Sequence, residues 1–247
     1  MQAKVLKVNF PSTAMEREVL GGGAFSNVFL VDFEGERLVS KLIFYKGNSD
    51  IFSFNHNLNK VLTEYSFFRI AETLEVGPKL HKCYSYDLIA YDDGIEFAME
   101  RCLPSPPPIE GKSLQDDILK GLKILHTFKI VHQDIKPNNI AWSEEQQKWV
   151  FLDFGFARCL KEELGEKTKT KFIGTYSYTS VEMKKIYHLD CATMIDLYYN
   201  DLYSARVTIN TIKATLEDKE DGEDEDINQD NYSQYVMHGR KFRKLST

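Results

Sequence analysis

The stretch that decides the fold is Val131-His-Gln-Asp-Ile-Lys-Pro-Asn-Asn139, followed downstream by Leu152-Asp-Phe-Gly155. It combines an aspartate, a lysine and an asparagine, and the second stretch adds another aspartate. Carboxylate and amide oxygens are the ligands that Mg²⁺ prefers, and lysine is a common point charge for phosphate. The pair is therefore a candidate for a functional site. The alternative is a polar loop with structural hydrogen bonds only.

A glycine-rich stretch, Leu20-Gly-Gly-Gly-Ala-Phe-Ser-Asn-Val28, precedes these motifs. Glycine lets the backbone approach a phosphate closely. A dinucleotide-binding fingerprint needs a helix directly after its glycines, whereas the residues after Ser26 have the pattern of a strand. On its own such a hairpin is more often a simple turn, so its interpretation depends on the downstream motifs.

Hydrophobic periodicity predicts the elements around the motifs. Residues 16–45 alternate between apolar and polar and predict three antiparallel strands, and residues 55–71 have helical spacing. Two more strands are expected within 80–91 and 95–101. After the proline-rich linker at 104–108, a helix is predicted from Ser113, as its N-cap, to Phe128. Short strands are expected at 130–131, 140–142 and 150–152.

Together the three motifs resemble those of the eukaryotic protein kinases, over residues 16–204. The resemblance implies an α+β, two-lobed fold, with an antiparallel-sheet N-lobe carrying one helix and a shortened, mainly helical C-lobe. The expected divisions are 1–102 for the N-lobe and hinge, 103–216 for the C-lobe and 217–247 for an acidic disordered tail. The implied cofactors are ATP and Mg²⁺, and the implied partner is a protein substrate with a serine or threonine hydroxyl.

The resemblance also implies catalytic roles in the two deciding motifs. Asp134 matches the aspartate that accepts the proton of the substrate hydroxyl, and Lys136 matches the charge beside the transferring phosphoryl group. Asn139 and Asp153 match the magnesium ligands. Lys136, together with Thr175, favours serine/threonine over tyrosine specificity.

Lys41 matches the strand lysine that binds the α- and β-phosphates. Glu64, on the predicted helix, is its expected ion-pair partner, and Glu72 is the competing candidate. The structural alternatives are an exposed strand lysine and a solvated glutamate.

The nucleotide would contact the glycine loop, the adenine slot and the hinge. Val39 matches the roof of the slot, Ala141 its floor and Met99 the gatekeeper. His132, Phe154 and Phe68, with Cys83 or Leu80, match the internal spine. The full implied nucleotide-binding set is Gly21, Gly22, Gly23, Ala24, Phe25, Ser26, Val28, Val39, Lys41, Met99, Glu100, Cys102 and Ala141.

Three departures from the family pattern carry further expectations. Gln133 replaces an arginine that pairs with an activation-loop phosphate, so activity is expected without such phosphorylation. The buried helix of the C-lobe is expected to begin at Asp201, after a short insertion at 187–199. Few helical residues follow it, so apolar side chains between Val207 and Leu216 are expected to be exposed and covered by a partner or a second copy.

Composition limits the remaining function classes. The net charge is −6, but residues 217–230 alone carry −8, so the rest sums to +2 and gives no support for nucleic-acid binding. Four scattered cysteines argue against a disulfide scaffold, and no apolar run is long enough to cross a membrane. A cytoplasmic or nuclear location is expected. Beside an active kinase, the open alternatives are a pseudokinase or nucleotide-binding interaction module and a kinase-like enzyme for a small-molecule hydroxyl.

Overall fold

A computed structural model describes most of the chain between Val5 and Glu220. The described residues are 5–7, 17–22, 26–33, 35–44, 51–82, 86–104, 113–160, 171–187, 189 and 191–220. They form two compact units. The first contains the described residues up to Ser66 together with Lys79–Arg101, and the second contains Phe67–Pro78 and the described residues from Cys102 onward.

The first unit is built on one seven-stranded sheet. Its strands lie in the order β1-β6-β7-β4-β3-β2, with β5 paired to β7. Pairing within this sheet is antiparallel except between β1 and β6. The strands are β1 Val5–Lys7, β2 Glu18–Gly22, β3 Ser26–Phe33, β4 Glu36–Phe44, β5 Leu80–His81, β6 Leu88–Ala90 and β7 Gly94–Met99. The helix α1 spans Ile51–Thr73, and its residues up to Ser66 belong to this unit. The three predicted strands and the predicted helix are present, and β1 was not predicted.

The register of the sheet sorts its side chains onto two faces. Val28 is paired with Lys41, and Val39 is paired with Met99, so these four residues share one face. The opposite face carries a buried apolar cluster of Phe29, Leu38, Leu42, Ile89, Tyr91 and Ala98. Successive residues of β4 therefore lie alternately on the predicted nucleotide face and on the core face of the sheet.

A buried polar network lies on the core face of this sheet. Glu96 accepts hydrogen bonds from Arg17 at 2.6 Å and from the hydroxyl of Tyr91 at 2.7 Å, and a further one from Ser40. Arg17 also donates to Tyr91 at 2.7 Å. Burial works against the charge of Arg17, but its contacts with Glu96 and Tyr91 together outweigh this effect and raise the pKa of Arg17. The network joins the start of β2 to β4 and β7.

The second unit is mainly helical around the deciding motifs. Its elements are α2 Leu114–Thr127, β8 Ile130–Val131, β9 Ile140–Ser143, β10 Lys148–Phe151, β11 Arg158–Cys159, α3 Val181–Lys185 and α4 Met194–Glu220. Ser113 caps α2 as predicted, since its side chain accepts a hydrogen bond from the amide of Asp116. Strands β9 and β10 form a hairpin, and β8 pairs with β11.

The long helix α4 corrects the prediction for the end of the C-lobe. It begins at Met194 instead of Asp201, so residues 194–199 are its first turns and not part of an insertion. Thr193 and Asp196 exchange hydrogen bonds in the manner of a capping box, which starts the helix there. The helix continues to Glu220, four residues into the predicted tail. Residues 221–247 lie outside the described residues.

The expected exposed face of α4 is also different. Ile209 and Ile212 are buried, with 2% and 8% of their surface exposed. The exposed apolar side chains lie nearer the start of the helix, at Ile195, Tyr199 and Leu202. Self-association through this helix stays a prediction.

Two expectations based on composition concern membranes and thiols. No helix within the described residues is both long and apolar enough to cross a membrane. Among the described residues, Cys102, Cys159 and Cys191 form no disulfide. The fourth cysteine, Cys83, lies outside the described residues.

Candidate active site

The first unit holds a buried ion pair on strand β4. The Nζ of Lys41 lies 2.6 Å from the Oε1 of Glu64, and their side chains are only 6% and 13% exposed. The apolar neighbours of Lys41 in β4 withdraw it from solvent, and α1 presents the carboxylate. The alternative of an exposed lysine is therefore wrong. Glu72 lies beside Arg69 on the helix surface instead, with an N–O distance of 3.8 Å.

Most of the other predicted nucleotide-binding residues of the first unit lie in the glycine-rich hairpin or at the end of β7. Gly21 and Gly22 lie on β2, and Ser26 and Val28 on β3. Met99 and Glu100 are buried, and the amide of Glu100 donates to the carbonyl of Lys79 at 2.8 Å. Gly23, Ala24 and Phe25, at the tip of the hairpin, lie outside the described residues.

The second unit contributes Cys102 and Ala141. Both are buried in a small cluster with Val150, against which Leu152 packs. Ala141 pairs with Val150 across the β9–β10 hairpin. The structure thus packs Cys102 and Ala141 together, and their contact with the nucleotide stays a prediction.

Asp134 lies at the centre of a dense hydrogen-bonded group in the second unit. One carboxylate oxygen accepts from the amide of Thr175 at 3.0 Å and from its hydroxyl at 2.6 Å. The other accepts from the Nζ of Lys136 at 2.7 Å and from the Nδ2 of Asn139 at 3.1 Å. Asp134 is 4% exposed. These contacts bring together residues that the sequence separates by up to 41 positions.

The two predicted metal ligands offer oxygens that fit Mg²⁺. The Nδ2 of Asn139 donates to both the carbonyl and the carboxylate of Asp134, which leaves its Oδ1 as the oxygen for a cation. The amide of Leu152, the residue before Asp153, donates to the carbonyl of Asn139 at 2.8 Å. This bond joins the segment that carries Asp153 to residues 131–139, here called the catalytic loop. Asp153 has a positive φ of 57°. An amide and a carboxylate oxygen are suitable hard ligands, so the residues fit the ion.

His132 is buried and its hydrogen bonds define its tautomer. The amide of Asp134 donates to Nδ1 at 3.3 Å, so the proton is on Nε2, which lies 3.1 Å from the carbonyl oxygen of Leu152. The ring of Phe154 is tilted against that of His132 and meets the ring of Phe68 edge to face, each with ring centroids 5.2 Å apart. These three rings form the part of the predicted spine that lies in the second unit.

A carboxylate from α4 holds the backbone of the catalytic loop. Asp201 is fully buried and accepts from the amides of His132 at 2.8 Å and Gln133 at 2.9 Å. The Nε2 of His126, in the last turn of α2, lies 3.3 Å from the same carboxylate. Gln133 has a φ of 67°, a left-handed conformation that is unfavourable for this residue type and is maintained by these contacts. The sequence analysis named Asp201 only as the start of the buried helix, and it missed His126, which helical spacing alone does not distinguish from a surface histidine.

Comparison with known proteins identifies the class. The model of the protein kinase domain matches residues 15–237. That is most of the chain, so this chain belongs to the protein kinase family. The predicted kinase fold is thereby confirmed.

Three relatives, all named as kinases and one of them as a serine/threonine kinase, match this chain at modest identity. The "Serine/threonine-protein kinase grp" of Drosophila melanogaster is 27% identical over 206 residues, covering 80% of this chain and 37% of the relative. The "Inhibitor of nuclear factor kappa-B kinase subunit alpha" of Danio rerio is 30% identical, covering 68% and 23%. "Mitogen-activated protein kinase kinase 7" of Arabidopsis thaliana is 32% identical, covering 49% and 37%. The chain thus spans well under half of these relatives' length.

Proposed function

We propose that this protein transfers the γ-phosphoryl group of ATP to serine or threonine hydroxyls of protein substrates. The observation that carries the proposal is the group around Asp134, whose carboxylate is held by Lys136, Asn139 and Thr175. A base that must accept a proton from a hydroxyl has to be held in one orientation, and four hydrogen bonds to two oxygens do this.

Each residue has a role within the proposal. Asp134 accepts the hydroxyl proton, and the Nζ of Lys136, 2.7 Å from that carboxylate, supplies positive charge where negative charge develops. Asn139 and Asp153 would hold Mg²⁺, which when bound neutralises phosphate charge. Lys41, oriented by Glu64, would hold the non-transferred phosphates.

The test is phosphate transfer from labelled ATP with Mg²⁺ to a generic protein acceptor. Asp134→Asn is expected to retain ATP binding and to lower turnover by about 10²–10⁴-fold. Asp153→Asn is expected to abolish the Mg²⁺ dependence of ATP binding. Asp116→Asn, which removes an exposed carboxylate from the first turn of α2 in the same unit, is the matched control and should retain full activity.

Three outcomes would contradict the proposal. Equal transfer by wild type and Asp134→Asn would remove the assigned base. Nucleotide binding without transfer would identify a pseudokinase or a nucleotide-binding interaction module. Transfer to a small-molecule hydroxyl but not to protein would identify the third class of function.

A further inference from the structure

Gln133, the residue before Asp134, makes a side-chain hydrogen bond to a segment outside its own loop. Its side chain is buried, with 2% of the residue exposed. The Nε2 donates a hydrogen bond to the backbone carbonyl of Phe156 at 2.7 Å. The other amide atom, Oε1, is buried and has no hydrogen-bond partner among the described residues.

The bond joins the two segments that carry the catalytic groups. Gln133 directly precedes Asp134, and Phe156 follows Asp153 by three residues. The amide of Gly155 donates to the Oδ1 of Asp153 at 3.3 Å, so the turn that ends at Phe156 also orients this metal ligand. The side chain of Gln133 therefore spans from the loop of the base to the loop of the metal ligand.

The backbone of Gln133 has equally close contacts. Its amide is held by Asp201 at 2.9 Å, and its carbonyl oxygen lies so near Gly174 that a side chain on that glycine would collide with it. Gly174 precedes Thr175, whose hydroxyl bonds to Asp134. Three segments of the site thus meet at one residue.

The polar atoms of the Gln133 side chain make no net favourable contribution to the free energy of unfolding. A buried polar atom without a partner costs about as much as, or more than, a neutral hydrogen bond returns. Phe156 is 39% exposed, so water can reach this part of the loop when the amide is removed. An apolar side chain of similar size would therefore fill the same space without loss of stability.

We infer that Gln133 is a positioning residue: its neutral amide holds the segment after Asp153 against the catalytic loop. In the kinase pattern that sequence analysis identified, an arginine at this position needs a phosphate partner, whereas the amide needs none. The inference rests on the proposed function for its kinetic effect, but not for its effect on the loop.

The test compares two methionine variants in the full chain. Gln133→Met keeps the length of the side chain and removes the donor. Gln146→Met is the matched control, because Gln146 also donates its Nε2 to a backbone carbonyl, that of Gly77, at 2.9 Å and away from the catalytic loop. The measurements are kcat, KM for ATP, the melting temperature and backbone hydrogen exchange over residues 153–157.

Gln133→Met is expected to lower kcat by about tenfold or more, because a small misplacement of catalytic groups has large effects. Its KM for ATP should change by less than about twofold, and its melting temperature should be unchanged or higher. Gln146→Met, which removes an equivalent donor, should leave both kcat and the KM for ATP unchanged. Hydrogen exchange over 153–157 should be faster only in Gln133→Met.

Hydrogen exchange separates this inference from the proposed function. A wild type without transfer activity would refute the proposed function, while faster exchange in Gln133→Met would still support the positioning role. Unchanged exchange, or a fall in kcat that merely follows a fall in melting temperature, would overturn the inference. If Gln133→Met fails to fold, the stability argument is wrong, and Gln133→Glu, which keeps the shape of the side chain but loses the donor, replaces it. Faster exchange over 153–157 in Gln133→Glu would then support the positioning role. Wild-type exchange in Gln133→Glu would overturn the inference.

Discussion

Replacing Asp201 by asparagine tests whether α4 holds the catalytic loop in place. The aspartate is fully buried, and its two oxygens accept from the amides of His132 and Gln133 at 2.8 and 2.9 Å. Asparagine has the same shape but only one acceptor oxygen. Its NH₂ group would face one of the two backbone N–H groups, so that donor loses its partner.

The magnitude follows from these contacts. A hydrogen bond to a charged group contributes about 1.5–3 kcal/mol, and one such bond is lost while the other becomes neutral. The left-handed backbone of Gln133 loses part of its support as well. We expect a loss of about 3 kcal/mol in the free energy of unfolding, which is about 9 °C in melting temperature for a domain of this size.

The assay is urea denaturation and calorimetry of the full chain, with Asp196→Asn as the control on the same helix. Asp196 accepts from Thr193 at 2.8 Å in the capping box, so its replacement should cost only about 1 kcal/mol. Turnover of Asp201→Asn should fall at temperatures where the protein is still folded. A melting temperature within about 2 °C of wild type would refute the anchoring argument.

Four further predictions follow from other contacts. Lys41→Met and Glu64→Gln should each lower the free energy of unfolding by about 3 kcal/mol, and the double variant should lose less than their sum in urea titrations. Burial and the hydrogen bond to the Glu96 carboxylate raise the pKa of Tyr91. The stability that the protonated hydroxyl contributes is therefore present below about pH 10 and is lost as pH rises further. Urea titrations at pH 8 and above pH 10 should show this loss in wild type but not in Tyr91→Phe. Gly174→Ala should abolish activity in the transfer assay and lower the melting temperature, because the new methyl group meets a backbone carbonyl. Phosphatase treatment should leave kcat unchanged because Gln133 is neutral, and a large loss would contradict this.

Local pattern was sufficient to predict the strands β2, β3 and β4 and the helix α2. Alternation and turn residues identify a meander, and Ser113 marks the start of α2 by capping it. The start of α4 was missed although Thr193 and Asp196 have the spacing of a capping box. Strand β1 has only three residues and pairs with Leu88–Ala90, so its signal lies in a partner about eighty residues away and not in its own sequence.

The candidate site was predicted from the resemblance of its motifs to those of the protein kinases. Its residue types are those that the implied chemistry needs, namely a proton acceptor, a phosphate cation and two oxygen ligands. The structure brings Asp134, Lys136 and Asn139 together, and their catalytic roles stay predictions. The contacts that support these residues follow from no such requirement. The bond from Gln133 to Phe156 ends on a backbone carbonyl, which every residue type supplies.

The buried pair of Arg17 and Glu96 shows why supporting contacts escape sequence reasoning. The two residues are 79 positions apart and lie on the core face of the first sheet, where an apolar pair of similar volume would be expected. Replacing a buried ion pair by packed apolar side chains is often neutral or stabilising, so physical chemistry does not require this solution. A sequence predicts what the chemistry requires, and it does not predict which of several equivalent packings supports it. The residues around Asp134 belong to the first kind, and Arg17, His126 and Gln133 belong to the second.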